Sequence, residues 1–185
     1  EAFWENRQDD ALRLFEQIKE SHLNSLKFLI SVHWQAAENK LKDFFTEIEW
    51  MLHDKPVRTF DYYYDQVVCC GELLSSSLVS LYLEEQHVRV KWMDVRDIIR
   101  TDDNFRDAAI DWEYTEGKVL QEVKPLFDEY DVLISPTAPT AAFAIGENVA
   151  DPIKMYLADV MTVPASLAGL PAVSVPAGKT DAGLP

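Results

Sequence analysis

Glycine and proline are spread so unevenly along these 185 residues that their placement limits the fold before any motif is considered. Residues 1–116 hold one glycine, Gly71, and one proline, Pro56; residues 117–185 hold the other five glycines and eight prolines. All five tryptophans lie before residue 113. The first part is nearly free of backbone breakers. The second must be built from short elements and turns. So abrupt a shift marks a change of architecture or of origin.

Within the first part the apolar spacing is helical. Over residues 9–30, Ala11, Leu14, Phe15, Ile18, Leu26, Leu29 and Ile30 recur at 3, 4 and 7, with Asp9 and Asp10 at the end where a helix dipole favours negative charge. Over 35–52, Ala37, Leu41, Phe44, Phe45, Ile48 and Leu52 share a face, and Pro56 follows the end. The two helices should pair as a hairpin. Thr59 is suited to cap a third helix through FDYYYDQVVCC. Gly71 then reads as an interruption. Leu74, Leu78, Leu81 and Tyr82 define a fourth helix, with Ser75, Ser76 and Ser77 near its start. The run VRVKWMDV alternates, with Val88, Val90 and Trp92 on one side, and predicts a strand with one drier face.

The chemistry-bearing residues are sparse. Cys69 and Cys70 are adjacent, a spacing unsuited to a disulfide loop or a metal clamp, and read as small buried groups in a reduced, cytoplasmic compartment. His22, His33, His53 and His87 have no ligand spacing, so no metal site is expected. Asp94, Arg96, Asp97, Arg100, Asp102, Asp103, Arg106 and Asp107 form a mixed charge run, which is expected to pin a loop rather than to react.

The run GELLSSSLVSLYLEEQHVRVKWMDVRDIIRTDDNFRDAAIDW resembles aspartokinase, the enzyme that phosphorylates the aspartate side-chain carboxylate with ATP. The resemblance implies that Glu72, after the glycine, met the ammonium of an aspartate substrate, a charge-assisted pair. It also implies ATP and Mg for an intact kinase. The family's K-F-G-G segment and its later S-D-x-T segment are absent, so no catalytic residue and no cofactor are assigned to this chain as it stands.

A second resemblance covers 127–185. LFDEYDVLISPTAPTAAFAIGENVADPIKMYLADVMTVPASLAGLPAVSVPAG is similar to the C-terminal part of the amidase-signature family, most of all to the A subunit of glutamyl-tRNA(Gln) amidotransferase, which releases ammonia from glutamine. Residues 131–135 and 172–176 read as short strands, and 151–167 as a helix with Pro152 near its start and Pro164 near its end. The resemblance makes Asp159 a contact to the amino-acid part of an amide substrate. The chemistry also needs a lysine, a bridging serine and a nucleophilic serine in a glycine-rich loop. No GGSSGG-like segment exists, and Ser166 and Ser174 lack that setting.

Together these resemblances describe a chimera: an aspartokinase-like partial domain over 1–120 and an amidase-like partial domain over 121–185, joined within YTEGKVLQEVKPLFDEYD. The fold expected is α/β and helix-rich. A helical hairpin and a helix–strand unit of an amino-acid-kinase-like domain precede a short α/β amidase-like tail. The function expected is that of an inactive fusion of the two enzyme fragments, with a non-catalytic folded or interaction domain and the amidotransferase activity itself as alternatives. Small substrates of the aspartate or glutamine type are the expected partners. The net charge of −15 argues against nucleic acid and anionic membranes. The absence of an 18-residue apolar run argues against a spanning helix, and no secretory signal is visible. A start at Glu1 without Met suggests an upstream part. Self-association is expected through unpaired strand edges near 132–134 or 173–175, with Leu14, Ile18, Leu41, Phe44, Ile48 and Leu78 as the helical core.

Overall fold

The architecture comes from a computed structural model that describes residues 1–135, 137, 138, 141–146, 162, 165, 169–176, 178–181, 183 and 184. It divides into two compact units, Glu1–Val132 and Leu133–Pro185.

The first unit is built on three long helices: α1 (Gln8–Leu29), α2 (Trp34–His53) and α3 (Phe60–Glu85). The connections span only 30–33 and 54–59, short enough to force neighbours to run antiparallel. End-to-end contacts confirm the directions. Gln8 at the start of α1 donates to the Leu52 and His53 carbonyls at the end of α2, at 2.8 and 3.0 Å. Lys40 near the start of α2 meets Glu84 at the end of α3. Phe3, ahead of α1, stacks edge-on against Tyr63 in the first turn of α3, with ring centres 5.0 Å apart.

Leu26, Ile30, Leu41 and Leu74 are the most completely buried large side chains, and Phe15, Phe44, Phe45, Ile48 and Leu73 fill the space between them. The expected core is right for α2, where Leu41, Phe44 and Ile48 are buried, and Leu78 packs against it partly buried. It is wrong for α1. Leu14 and Ile18 are 46% and 52% exposed. Phe15 and Leu26 carry more apolar area inward, so the helix turns their face to the bundle and leaves Leu14 and Ile18 on its flank.

Thr59 caps α3 as expected, its Oγ1 accepting from the Tyr62 N–H at 3.4 Å. The predicted break at Gly71 does not occur: α3 runs without interruption through it for 26 residues. Gly71 has no neighbour within 4 Å of where a Cβ would stand, so no close approach demands glycine there. The serines predicted near a helix start lie in mid-helix. Ser75 Oγ donates to the Gly71 carbonyl at 2.8 Å and Ser76 Oγ to the Leu73 carbonyl at 3.2 Å, the back-bonding that mid-helix hydroxyls adopt. The helix ends in a Schellman turn. His87 N–H bonds the Glu84 carbonyl and Val88 N–H the Leu83 carbonyl, with His87 left-handed at φ 62°.

Beyond α3 the α/β expectation fails among the described residues. No strand is present, only one isolated antiparallel bridge between Thr101 and Ile110. The helix–strand unit of a kinase-like domain is therefore absent, because residues 88–94 are irregular and have no partner strand to complete a ladder. The alternation there has another cause. Trp92 tucks inward, stacking edge-on against Phe44 and donating from Nε1 to Ser76 Oγ at 3.1 Å, between exposed Lys91 and half-buried Met93. A short 3-10 turn, Val95–Asp97, follows, and Ile98 is buried.

Asp111 caps α4 (Trp112–Lys118) by accepting from the Tyr114 N–H at 3.1 Å. The chain continues through a π turn, Val119–Val123, and a 3-10 turn, Lys124–Asp128, that takes in Pro125. The strands predicted at 131–135 and 172–176 are likewise absent, their described backbone being unpaired and Val173 and Val175 well exposed. The helix predicted over 151–167, with Asp159 and Ser166, lies outside the described residues apart from Thr162 and Ala165.

Candidate functional site

The densest polar cluster forms where the middle of α2 faces α3. Glu47, on the turn of α2 between Phe44 and Ile48, meets Arg96 of the 3-10 turn. The Arg96 guanidinium donates to Glu47 Oε2 at 3.0 Å and to Asp94 Oδ2 at 2.7 Å, with its Nε also on Asp94. Planar, five-donor arginine is the residue that can bridge two carboxylates in this way. Its bonds to Asp94 and then Glu47 hold the guanidinium above its already high ordinary pKa. Partial burial pushes the Asp94 carboxyl upward, but the Arg96 side-chain and backbone donors outweigh it and hold that group below the usual range. Cys70 Sγ donates to Glu47 Oε2 at 3.9 Å. Burial, helped by the Glu47 charge, pushes the Cys70 thiol up to about 11.

A cleft of about 380 Å³ opens beside this cluster, bordered by Glu47, Trp50, Arg58, Tyr62 and Cys70. Its chemistry is that of a fixed structure. Of the two carboxylates that border it, Glu47 and Asp54, Glu47 is committed to Arg96, and a thiol with so high a pKa is almost wholly protonated at neutral pH and makes a poor nucleophile. Among the described residues no group of three or more His, Cys, Asp or Glu could hold a metal ion.

The charge run behaves as a loop anchor. Arg100 pairs with Asp111 and stacks 3.9 Å over the Tyr114 ring. Asp102 Oδ1 accepts from the Asn104 and Ala109 N–H groups, both at 3.1 Å. Arg106 donates its N–H to Asp65 at 2.7 Å and lies over Tyr64. Buried Thr115 accepts the Arg100 N–H at 3.2 Å. Sequence reasoning missed Glu47 and Thr115, since nothing local joins either to its partner.

Glu72 is exposed in the middle of α3, and its side chain makes no hydrogen bond or ion pair with any described residue. It borders neither this cleft nor a second one of about 310 Å³ between Ile30, Lys40, Leu81 and Glu85. Glu72 also lies far from either end of α3. Ser174 is exposed in irregular chain. Asp159 and Ser166 lie outside the described residues.

The amidase family model matches residues 15–185, and the chain belongs to that family. Its curated relatives include the A subunit of glutamyl-tRNA(Gln) amidotransferase from Brevibacillus brevis, 55% identical over 67 residues, and that from Rhizorhabdus wittichii, 60% identical over 67 residues. Both alignments cover 36% of this chain and 14% of the relative. The same protein from Novosphingobium aromaticivorans is 66% identical over 59 residues, 32% of this chain and 12% of that relative. The chain thus spans about a seventh of the length of the curated relatives it matches. No solved structure matches.

The match over 15–185 corrects the chimeric reading. It takes in nearly all of the segment assigned to aspartokinase, and nothing in these comparisons supports a kinase portion. With that support gone, the assignment of Glu72 to an aspartate ammonium rests on its exposed carboxylate alone.

Proposed function

We propose that this chain is a non-nucleophilic portion of an amide-hydrolysing enzyme of the glutamyl-tRNA(Gln) amidotransferase A-subunit type, acting in the cytoplasm on a glutamine-type amide. The observation that carries this reading is the amidase-family match over 15–185, together with the high identity to A subunits over 59 to 67 residues. Acyl transfer from an amide needs an activated nucleophile and donors aimed at the developing oxyanion. The sequence offers no serine in a glycine-rich loop, and the described thiols are held protonated by burial. In this reading Asp159 contacts the amino-acid part of the substrate. The polypeptide itself turns nothing over, and neither ATP nor Mg has a role in it.

Ammonia release from glutamine and simple primary amides by the purified chain tests the proposal. The expected result is no saturable release above the uncatalysed rate. Saturable release abolished by Ser166→Ala or Ser174→Ala would overturn it. The substrate contact is tested separately by calorimetry with glutamine, where Asp159→Asn should remove whatever binding heat the unaltered chain shows.

A further inference from the structure

The outward face of α3 carries a band that reads the same from either end. Residues 64, 67, 68, 71, 75, 78, 79 and 82 fall within about one third of the helix circumference at 100° per residue. They are Tyr64, Val67, Val68, Gly71, Ser75, Leu78, Val79 and Tyr82. A two-fold axis at the level of residue 73 exchanges Tyr64 with Tyr82, Val67 with Val79, Val68 with Leu78 and Gly71 with Ser75. No charged residue interrupts the band, although a quarter of the chain is charged. Val68 and Val79 are 47% and 50% exposed, and the two tyrosines and Val67 are exposed to a similar degree. The smallest residues, Gly71 and Ser75, flank the centre, where two helices crossing would come closest.

Charged groups stand at both ends of the band and are paired within the chain: Arg106 meets Asp61 and Asp65 at the start. At the start of α3, Arg58 stacks on Tyr62 and Arg106 lies over Tyr64. At its end Glu84 pairs with Lys40, and Glu85 accepts from Ser31 and Val32. A self-complementary surface is what an isologous contact requires. We infer that this face binds the same face of a second copy of the chain, α3 against α3 and antiparallel. Tyr64 of each copy, with Arg106 over it, then lies level with Tyr82 of the other.

The band is about 27 Å long and roughly 10 Å wide. An interface of that size lies below the standard range of roughly 1,200–2,000 Å², so the dimer is weak and reversible. This inference is independent of the enzymatic reading, and it moves self-association from the strand edges to a helix face. α3 has the length and mean hydropathy of a membrane-crossing helix, but Glu72 stands beside the centre of the band.

Sedimentation equilibrium of the full chain over about a hundredfold range of concentration, near physiological salt, tests it. A monomer–dimer equilibrium is expected. Val67→Lys and Val79→Glu should each weaken the dimer at least about tenfold while leaving the helical circular dichroism and melting midpoint unchanged. An equimolar mixture of the two variants should regain the dimer, because the introduced lysine of one copy then faces the introduced glutamate of the other. A chain that stays monomeric, a dimer indifferent to both substitutions, or a mixture that does not recover would each overturn the inference. Binding to lipid vesicles without self-association in solution would overturn it too.

Discussion

Replacing Gly71 by alanine should stabilise the first unit. In the middle of α3 the residue has ordinary helical backbone, and an added Cβ would meet nothing within 4 Å. Glycine in a helix interior costs about 0.8–1.0 kcal/mol relative to alanine, largely through the entropy of the unfolded chain. The Ser75 hydroxyl bonds the backbone carbonyl at position 71 and survives the change. The net gain expected is about 0.5–1 kcal/mol. For a unit of 132 residues, whose unfolding entropy is about 0.28 kcal/mol/K, that raises the melting midpoint by about 2–4 °C. Urea unfolding followed by circular dichroism at low protein concentration, where the α3 pairing is dissociated, measures it directly. A loss of about 0.5 kcal/mol or more, or a fall in helicity, would show that α3 needs glycine at 71, and the reasoning would fail.

His87→Gly should gain about 0.5–1 kcal/mol in the same assay, because the Schellman turn holds residue 87 at φ 62°, where glycine is unstrained. The Cys70 thiol gives a pH dependence of stability. Its folded pKa, raised from 9.0 to about 11, means that the folded state holds the proton more tightly than the unfolded chain. The contribution is intact below about pH 9 and is lost as pH rises toward about 11, and Cys70→Ala should flatten that loss in urea titrations across the window.

How much of this could be read in the sequence depended on the range of the causes. The three helices follow from 3- and 4-residue spacing and a dearth of glycine and proline, both local properties. The unbroken course of α3 did not, because Gly71 followed by three serines resembles a stop and a start. A penalty near 1 kcal/mol is easily outweighed by the burial of Leu73, Leu74 and Leu81 beyond it. The alternation around Trp92 was real, but it reported one indole docking against Phe44, not a sheet. Leu14 and Phe15 are adjacent and both apolar, so which of them faces inward was fixed by α2, not by α1. The Glu47–Arg96 pair joins residues 49 apart and had no local signal at all. The tail's family character lay in a long continuous motif and was legible. The kinase resemblance was equally motif-like, and the family match displaced it.

The central functional claim is that an amidase-family chain here carries no activated nucleophile. A fluorophosphonate reagent, which phosphonylates only activated serines, tests this when intact mass is followed by peptide mapping. The account predicts an unmodified chain after prolonged incubation at neutral pH. A stoichiometric adduct on Ser166, Ser174 or any other single serine, lost on unfolding the protein before labelling, would contradict it.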